Sequence, residues 1–217
     1  MKVIAFIPIK FNSVRLKNKN ILDLAGHPLC WHIAKTLLSI NKIDEVYVYC
    51  STEKIMDYMP EGIKFLKRST YLDGEYVKGA EIYKSFIRDK NADIYLLAHA
   101  TSPFISVQSI DNALNMVLGG KYDSAFTAKK IQNFVWYNNL PLNYNLEDVP
   151  RTQDLEPVWE ETSAFFIFRK ELFEQTNRRI GFTPYLQEVK GIETIDIDTK
   201  EDFVLANVYA SISDDYE

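Results

Sequence analysis

The feature that most narrows the fold is a series of short, almost wholly apolar runs spaced so that a helix fits between them. They are Val3–Pro8 (VIAFIP), Glu45–Cys50 (EVYVYC), Ile94–Ala98 (IYLLA) and Ala164–Phe168 (AFFIF). A run of this length that does not alternate apolar with polar is a strand covered on both faces. Between the runs lie helical patterns. Pro28 opens a helix through about Ile40, with Leu29, Ile33, Leu37 and Leu38 at helical spacing. Lys78–Arg88 reads as a second helix. Ser106 caps a third over Val107–Leu118, and Gly119-Gly120 ends it. Ser51 is expected to cap a short helix after the second strand. Ile63–Leu66 and Ser124–Ala128 complete the strands of this stretch, Glu193–Ile197 is expected as the last strand, and Glu201–Ala210 as a closing helix. Such alternation requires βαβ units and hence an α/β fold with a mostly parallel sheet, whose ligands sit at the carboxyl ends of the strands.

The regular alternation breaks over about 129–160, a stretch of aromatics and asparagines with Pro141, Pro150 and Pro157. It reads as an inserted arm or lid in a single domain spanning 1–217. At 217 residues and 47% hydrophobic content the chain can bury a substantial core. A net charge of -5 argues against general nucleic-acid binding. No stretch approaches the roughly 20 apolar residues of a membrane span. The apolar N-terminal run meets Lys10, Asn12 and Ser13 with no cleavage site, so it is a strand and not a signal peptide. Cys30 and Cys50 form neither a CxxC pair nor a ligand cluster, which fits two buried thiols in a reducing cytoplasm.

Four segments are candidates for carrying chemistry. The loop leaving the first strand holds Lys10, Arg15, Lys17 and Lys19 within eleven residues, interleaved with Asn12, Ser13 and Asn20. Cations and hydrogen-bond donors at a strand's carboxyl end suit a polyphosphate, although neither a GxxxxGK[ST] nor a GxGxxG motif is present; the plainer reading is a solvated basic loop. In Ile195-Asp196-Ile197-Asp198-Thr199, strand periodicity turns both carboxylates to one side and both isoleucines to the core. Paired carboxylates suit a hard divalent cation such as Mg²⁺; alternatively Asp198 caps the last helix and Asp196 is solvated. The third is the turn His99-Ala100-Thr101-Ser102-Pro103, whose hydroxyls can line a pocket. A fourth stretch, Arg151–Pro157 and Glu161–Phe166, stands where the arm returns to the sheet. His27 and His32 read as packed or surface histidines.

Taken together and in order, these segments resemble the acylneuraminate cytidylyltransferase family, the CMP-sialic acid synthetases and their bacterial relatives, and less closely the CMP-Kdo synthetases. The resemblance rests on Ile7-Pro8-Ile9-Lys10 with Ser13 and Lys19-Asn20, on Leu24–Leu29 with Trp31, on Ser51-Thr52-Glu53, on Arg68, on Thr101-Ser102-Pro103 and on Asp196–Thr199. It implies a three-layer Rossmann-like nucleotidyltransferase fold. The implied reaction is attack of the anomeric hydroxyl of a nonulosonic acid on the α-phosphorus of CTP, giving a CMP-sugar and pyrophosphate. By the same resemblance Lys10 and Lys19 would hold the triphosphate, with Asn12, Ser13, Arg15 and Asn20 as nucleotide contacts and Arg68 at the base. Asp196 and Asp198 would carry Mg²⁺, with Lys10, Lys19 and Asp198 as the catalytic residues. His99, Thr101, Ser102, Gln153 and Glu161 would face the sugar. The arm would make a homodimer, and the product would feed surface glycans such as capsule or lipopolysaccharide.

Several positions depart from the family pattern. Lys10 stands for an arginine, Val14 for a lysine with Arg15 beside it, His99 for a glutamine, Ala100 for a proline and Ile105 for an arginine. Glu75–Gly79 replaces a small, serine-containing stretch after Arg68. Changes on the sugar side point to an acceptor other than N-acetylneuraminic acid, of legionaminate or pseudaminate type. A CMP-Kdo synthetase, another sugar nucleotidyltransferase, a D-x-D glycosyltransferase and a non-catalytic nucleotide-binding relative remain as alternatives. The position of the Asp pair near the end of the chain argues against the glycosyltransferase. Retention of two adjacent like charges, which need a compensating cation, argues against the non-catalytic relative.

Overall fold

Val3–Pro8 forms the centre of the sheet because its residues alternate between two cores. Val3, Ala5 and Ile7 enter one and Ile4 and Phe6 the other, all buried. The computed structural model describes residues 1–11, 13 and 16–213. In chain order the elements are β1 (Val3–Pro8), β2 (Asp23–Leu24), β3 (His27–Pro28), α1 (Leu29–Leu38), β4 (Glu45–Cys50), β5 (Lys64–Lys67), α2 (Gly79–Asp89), β6 (Ile94–Ala98), α3 (Val107–Leu118), β7 (Ser124–Ile131), β8 (Trp136–Tyr137), β9 (Leu140–Pro141), β10 (Val158–Arg169), α4 (Lys170–Thr176), β11 (Pro184–Glu188) and α5 (Lys200–Ser213).

Among the described residues seven strands make one sheet in the order β11-β7-β10-β6-β1-β4-β5. β1 pairs in parallel with β4 and β6, β4 with β5, and β7 with β11; β10 runs antiparallel to both β6 and β7. Helices α1 and α3 cover one face and α2 and α4 the other, giving three layers. On the second face Phe6 and Phe86 stack with centroids 4.1 Å apart. A smaller cluster of Leu24, Leu29, Ile197, Ala206 and Ala210 fastens α5 beside the sheet. The chain winds from β1 to β4 on one side and to β6 on the other, so the loops leaving β1 and β6 diverge. Their divergence opens a crevice at the carboxyl ends, where sheets of this kind bind ligands. No helix among the described residues is long and apolar enough to cross a membrane.

Several elements differ from expectation. Glu193–Ile197 is not a strand. Gly191–Thr194 turns as a 3-10 helix, and Ile197 N–H then bonds the Thr101 carbonyl at 2.8 Å instead of a sheet edge. The alternation nonetheless survives, with Ile197 buried and Asp196 exposed, because extended backbone alternates whether or not a ladder forms. The short helix Glu53–Tyr58 is capped by Thr52 and not Ser51, its hydroxyl accepting from Lys54 N–H at 3.4 Å. β10 is far longer than Ala164–Phe168 and carries a bulge between Glu161 and Phe166, where Ser163 adopts φ 58°. Residues 129–131 and 158–160 continue the β7–β10 pairing into the stretch read as an arm. The excursion beyond exposes Trp136, Tyr137, Leu140, Leu142, Leu146 and Val149.

Candidate active site

The loop after β1 folds back on itself through short-range bonds. Ser13 Oγ donates to the Leu16 carbonyl and accepts from Lys19 N–H at 2.8 Å, and Asn20 Nδ2 donates to the Lys10 carbonyl at 3.0 Å. These bonds turn Lys10, Ser13 and Lys19 toward one cavity of about 570 Å³. Pro8, Leu16, Arg68, Leu72, Gly74, Glu75, Val77, Ile82, Tyr83 and His99 complete its lining. Asn20 is buried and not among the lining residues; its carboxamide braces the loop. Lys17 is exposed on the turn, and the expected contacts Asn12 and Arg15 lie outside the described residues.

At one end of the cavity Lys19 links the lining to Asp198 and, next along the chain, Asp196. Lys19 is buried, and its Nζ bonds Asp198 Oδ1 at 2.7 Å, joining residues 179 apart in sequence. Capping of α5 falls to Thr199 and Asp202, which bond each other's backbone N–H reciprocally, not to Asp198. The Asp196 and Asp198 carboxylates are close enough to interact electrostatically, beside Lys19. Asp196 keeps an exposed face, but the protein packed around it holds its carboxyl above the ordinary range. A hydrogen bond from the Thr101 side chain opposes this shift and the Asp198 charge adds to it. Like charges in this arrangement favour a cation between or beside them. Among the described residues no group of three or more His, Cys, Asp or Glu side chains is placed to hold a metal ion. Two carboxylates are nonetheless what Mg²⁺ needs where substrate phosphates complete its shell.

His99 stands in the same cleft. The bulge in β10 is what shapes its surroundings: His99 N–H bonds the Ala164 carbonyl at 3.0 Å, and the Ser163 carbonyl meets the imidazole. Dense packing pushes its pKa down to about 4, the Arg179 charge pushes further, and Lys19 adds to both against the Ser163 carbonyl and Asp198. The ring is therefore neutral at pH 7. Thr101 is half-buried and Ser102 buried in the turn that follows, where Ser102 N–H bonds the His99 carbonyl at 3.3 Å.

Arg179, which the sequence did not single out, lies over Phe166 with its guanidinium carbon 3.6 Å from the ring centroid. Its Nη1 donates to Tyr83 Oη at 2.7 Å, and its Nη2 to Glu161 at 3.2 Å. Glu161 thus meets Arg179 at the edge of the cleft. Gln153, in contrast, is exposed within the excursion and is not among the cavity's lining residues. The segment carrying Arg179 is pinned by Asp123, which accepts from Phe182 N–H at 2.7 Å and Thr183 N–H at 3.1 Å. Nothing local marks Arg179, because its partners Tyr83 and Phe166 come from α2 and β10.

Arg68 occupies the other end. It is buried, pairs through Nη2 with Asp73 at 2.6 Å, and has its Nε buried without a partner. A buried donor left unpaired is costly and marks a place where a ligand can supply the acceptor.

Against curated proteins the chain is 28% identical over 212 residues to N-acylneuraminate cytidylyltransferase A of Danio rerio, covering 93% of this chain and 49% of that protein. It is 23% identical over 180 residues to pseudaminic acid cytidylyltransferase of Campylobacter jejuni, covering 76% of this chain and 78% of that one. The chain spans about half the length of the N-acylneuraminate relatives it matches. Among solved structures, CMP:2-keto-3-deoxy-manno-octonic acid synthetase complexed with CTP shares the fold. Its TM-score is 0.70 at 17% identity, over 99% of this chain and 100% of that one. The family model described as cytidylyltransferase matches residues 4–214, and with that match across sheet, cleft and closing helix the chain belongs to the cytidylyltransferase family.

Proposed function

We propose that this protein transfers CMP from CTP to a nonulosonic, sialic-acid-like sugar, releasing pyrophosphate. The observation that carries the reading is the cavity lined by Lys10 and Lys19, with Lys19 tied to the Asp196–Asp198 segment by its 2.7 Å ion pair to Asp198. Lys10 and Lys19 hold the triphosphate and offset charge developing on the departing pyrophosphate. Ser13, whose hydroxyl donates to the Leu16 carbonyl and accepts from Lys19 N–H, orders the loop that carries both lysines. Asp196 and Asp198 would hold Mg²⁺, which when bound supplies Lewis-acid polarisation of the phosphate. Lys19 Nζ orients the Asp198 carboxylate through their 2.7 Å contact. His99, its ring N–H facing the Ser163 carbonyl, stays neutral and offers its other ring nitrogen as an acceptor to a sugar hydroxyl beside Thr101 and Ser102. Arg179, on the Tyr83 wall of the cavity, is the cation a carboxylated sugar would meet. The exposed Trp136, Tyr137, Leu140 and Leu142 of the excursion fit a self-association surface, hence a homodimer. Two buried, unpaired thiols fit a cytoplasmic setting.

The test is pyrophosphate release with Mg²⁺ and each of the four NTPs, against N-acetylneuraminic acid, pseudaminic acid and 3-deoxy-manno-octulosonate. Release is expected with CTP and one acid. Asp198→Asn should abolish it while circular dichroism shows the fold retained. Folded protein that releases nothing with any pair would refute the reading, and an unimpaired Asp198→Asn would remove the metal role.

A further inference from the structure

Tyr83 lines two cavities, the main one and a second of about 560 Å³ to which the proposed transfer gives no occupant. The second is walled by Arg178, Arg179, Asn177, Tyr83 and the first residues of α2, Gly79 and Ala80. Its lining holds two guanidinium groups and no carboxylate. The main cavity and three others each include an acid in their walls, Glu75, Glu188, Asp73 and Glu81. The backbone builds the arrangement. Asn177 ends α4 in the left-handed conformation at φ 53°, and the two arginines follow it directly. Gly79 lets the Tyr83 ring lie against the start of α2, since a Cβ there would stand 2.6 Å from Tyr83 Oη.

The donors are in surplus. Arg179 is fixed by Tyr83 at 2.7 Å, by Glu161 at 3.2 Å and by the Phe166 ring, and these two hydrogen bonds use two of its five N–H groups. Arg178 makes no side-chain hydrogen bond or ion pair among the described residues; its guanidinium carbon lies 5.6 Å from the centroid of the exposed Phe182 ring. All five of its donors remain. Adjacent cations with a single carboxylate between them are relieved by an anion. A carboxylate would occupy one guanidinium fork, whereas a phosphate has oxygen edges for two and the charge to match both. We propose that this cavity is a second ligand site, separate from the nucleotide cleft, for a tetrahedral phosphate dianion, free or carried on a small ester. Its volume leaves room for the ester, and it would function whether or not the transfer reaction is the one proposed above.

The experiment is a phosphorus NMR titration of inorganic phosphate, and separately of glycerol 3-phosphate, into the CTP-saturated chain at constant ionic strength without acceptor sugar. CTP fills the main cavity, and its own resonances report any displacement. Saturable binding is expected with CTP still bound. It should weaken about tenfold in Arg178→Ala, the scale of one charge-assisted hydrogen bond, and by less in Arg178→Lys, which keeps the charge and loses the fork. Arg178 is exposed, so both variants are expected to fold and to bind CTP as the wild type does. Tighter binding of the ester assigns the site to a carried phosphate, and tighter binding of inorganic phosphate to the free ion. No saturable binding of either, binding only by displacement of CTP, or equal affinity in Arg178→Ala overturns the inference and leaves the proposed function standing. A chain that binds no CTP overturns the proposed function, while the Arg178 comparison still decides this site, because Arg178 does not line the main cavity.

Discussion

His99→Gln tests whether three separate segments set the electrostatics of the cleft. In the folded chain His99 titrates near 4, against 6.5 for an ordinary histidine. Each unit corresponds to about 1.4 kcal/mol, so the whole shift amounts to about 3 kcal/mol. The ring keeps partial solvent exposure, which screens the Arg179 and Lys19 charges, and about 2 kcal/mol is the working figure. The sign follows from proton uptake. Between 6.5 and about 4 the unfolded chain binds a proton at this position and the folded chain does not. Stability is therefore fully present above 6.5 and is lost as the pH falls toward 4. Glutamine does not titrate. Urea unfolding of both proteins in chelator-containing buffer, at steps from about pH 7 to about pH 4, isolates this contribution as a difference between curves. The variant should gain about 2 kcal/mol on the wild type across that interval. Parallel curves would show that His99 is not held neutral by burial and by Arg179.

Two further outcomes follow from the scaffold. Gly181→Ala places a Cβ against the Asp123 carboxylate and disrupts its bonds to Phe182 and Thr183. The cost should be about 2–4 kcal/mol by thermal or urea unfolding, and the KM for the acid acceptor should rise with it because Arg179 rides on that segment; an unchanged melting temperature would refute the pinning role. Glu45 accepts from Lys64 at 2.6 Å and Lys2 at 2.9 Å, and these partners hold its pKa at about 2. Glu45→Gln should cost at most about 1 kcal/mol, as surface pairs do. That deficit is complete above the ordinary value of 4.5 and should vanish as the pH falls to about 2; a deficit that persists at acid pH would show a packing effect instead.

What the chain determined by itself is its locally written structure. β1, β4 and β6 fall where the apolar runs place them, and α3 starts at the Ser106 cap. Burial on both faces selects for an unbroken apolar stretch, and a cap needs a side chain only three residues from its donor. The D-x-D pattern was legible for the same reason, since alternation of Asp196 and Asp198 against Ile197 needs only extended backbone. Less was legible where local signals are weak. β11 is only partly buried along its length and shows no apolar run, while α4 follows β10 without a breaker. The tertiary structure alone decided the pairing of Lys19 with Asp198, the seating of Arg179 by Tyr83 and Phe166, and the neutrality of His99. Each depends on charges and rings brought from distant segments, and the field at a side chain is a sum over neighbours in space. Hydrophobic period and capping are properties of neighbours in sequence, and so can be read before the chain folds.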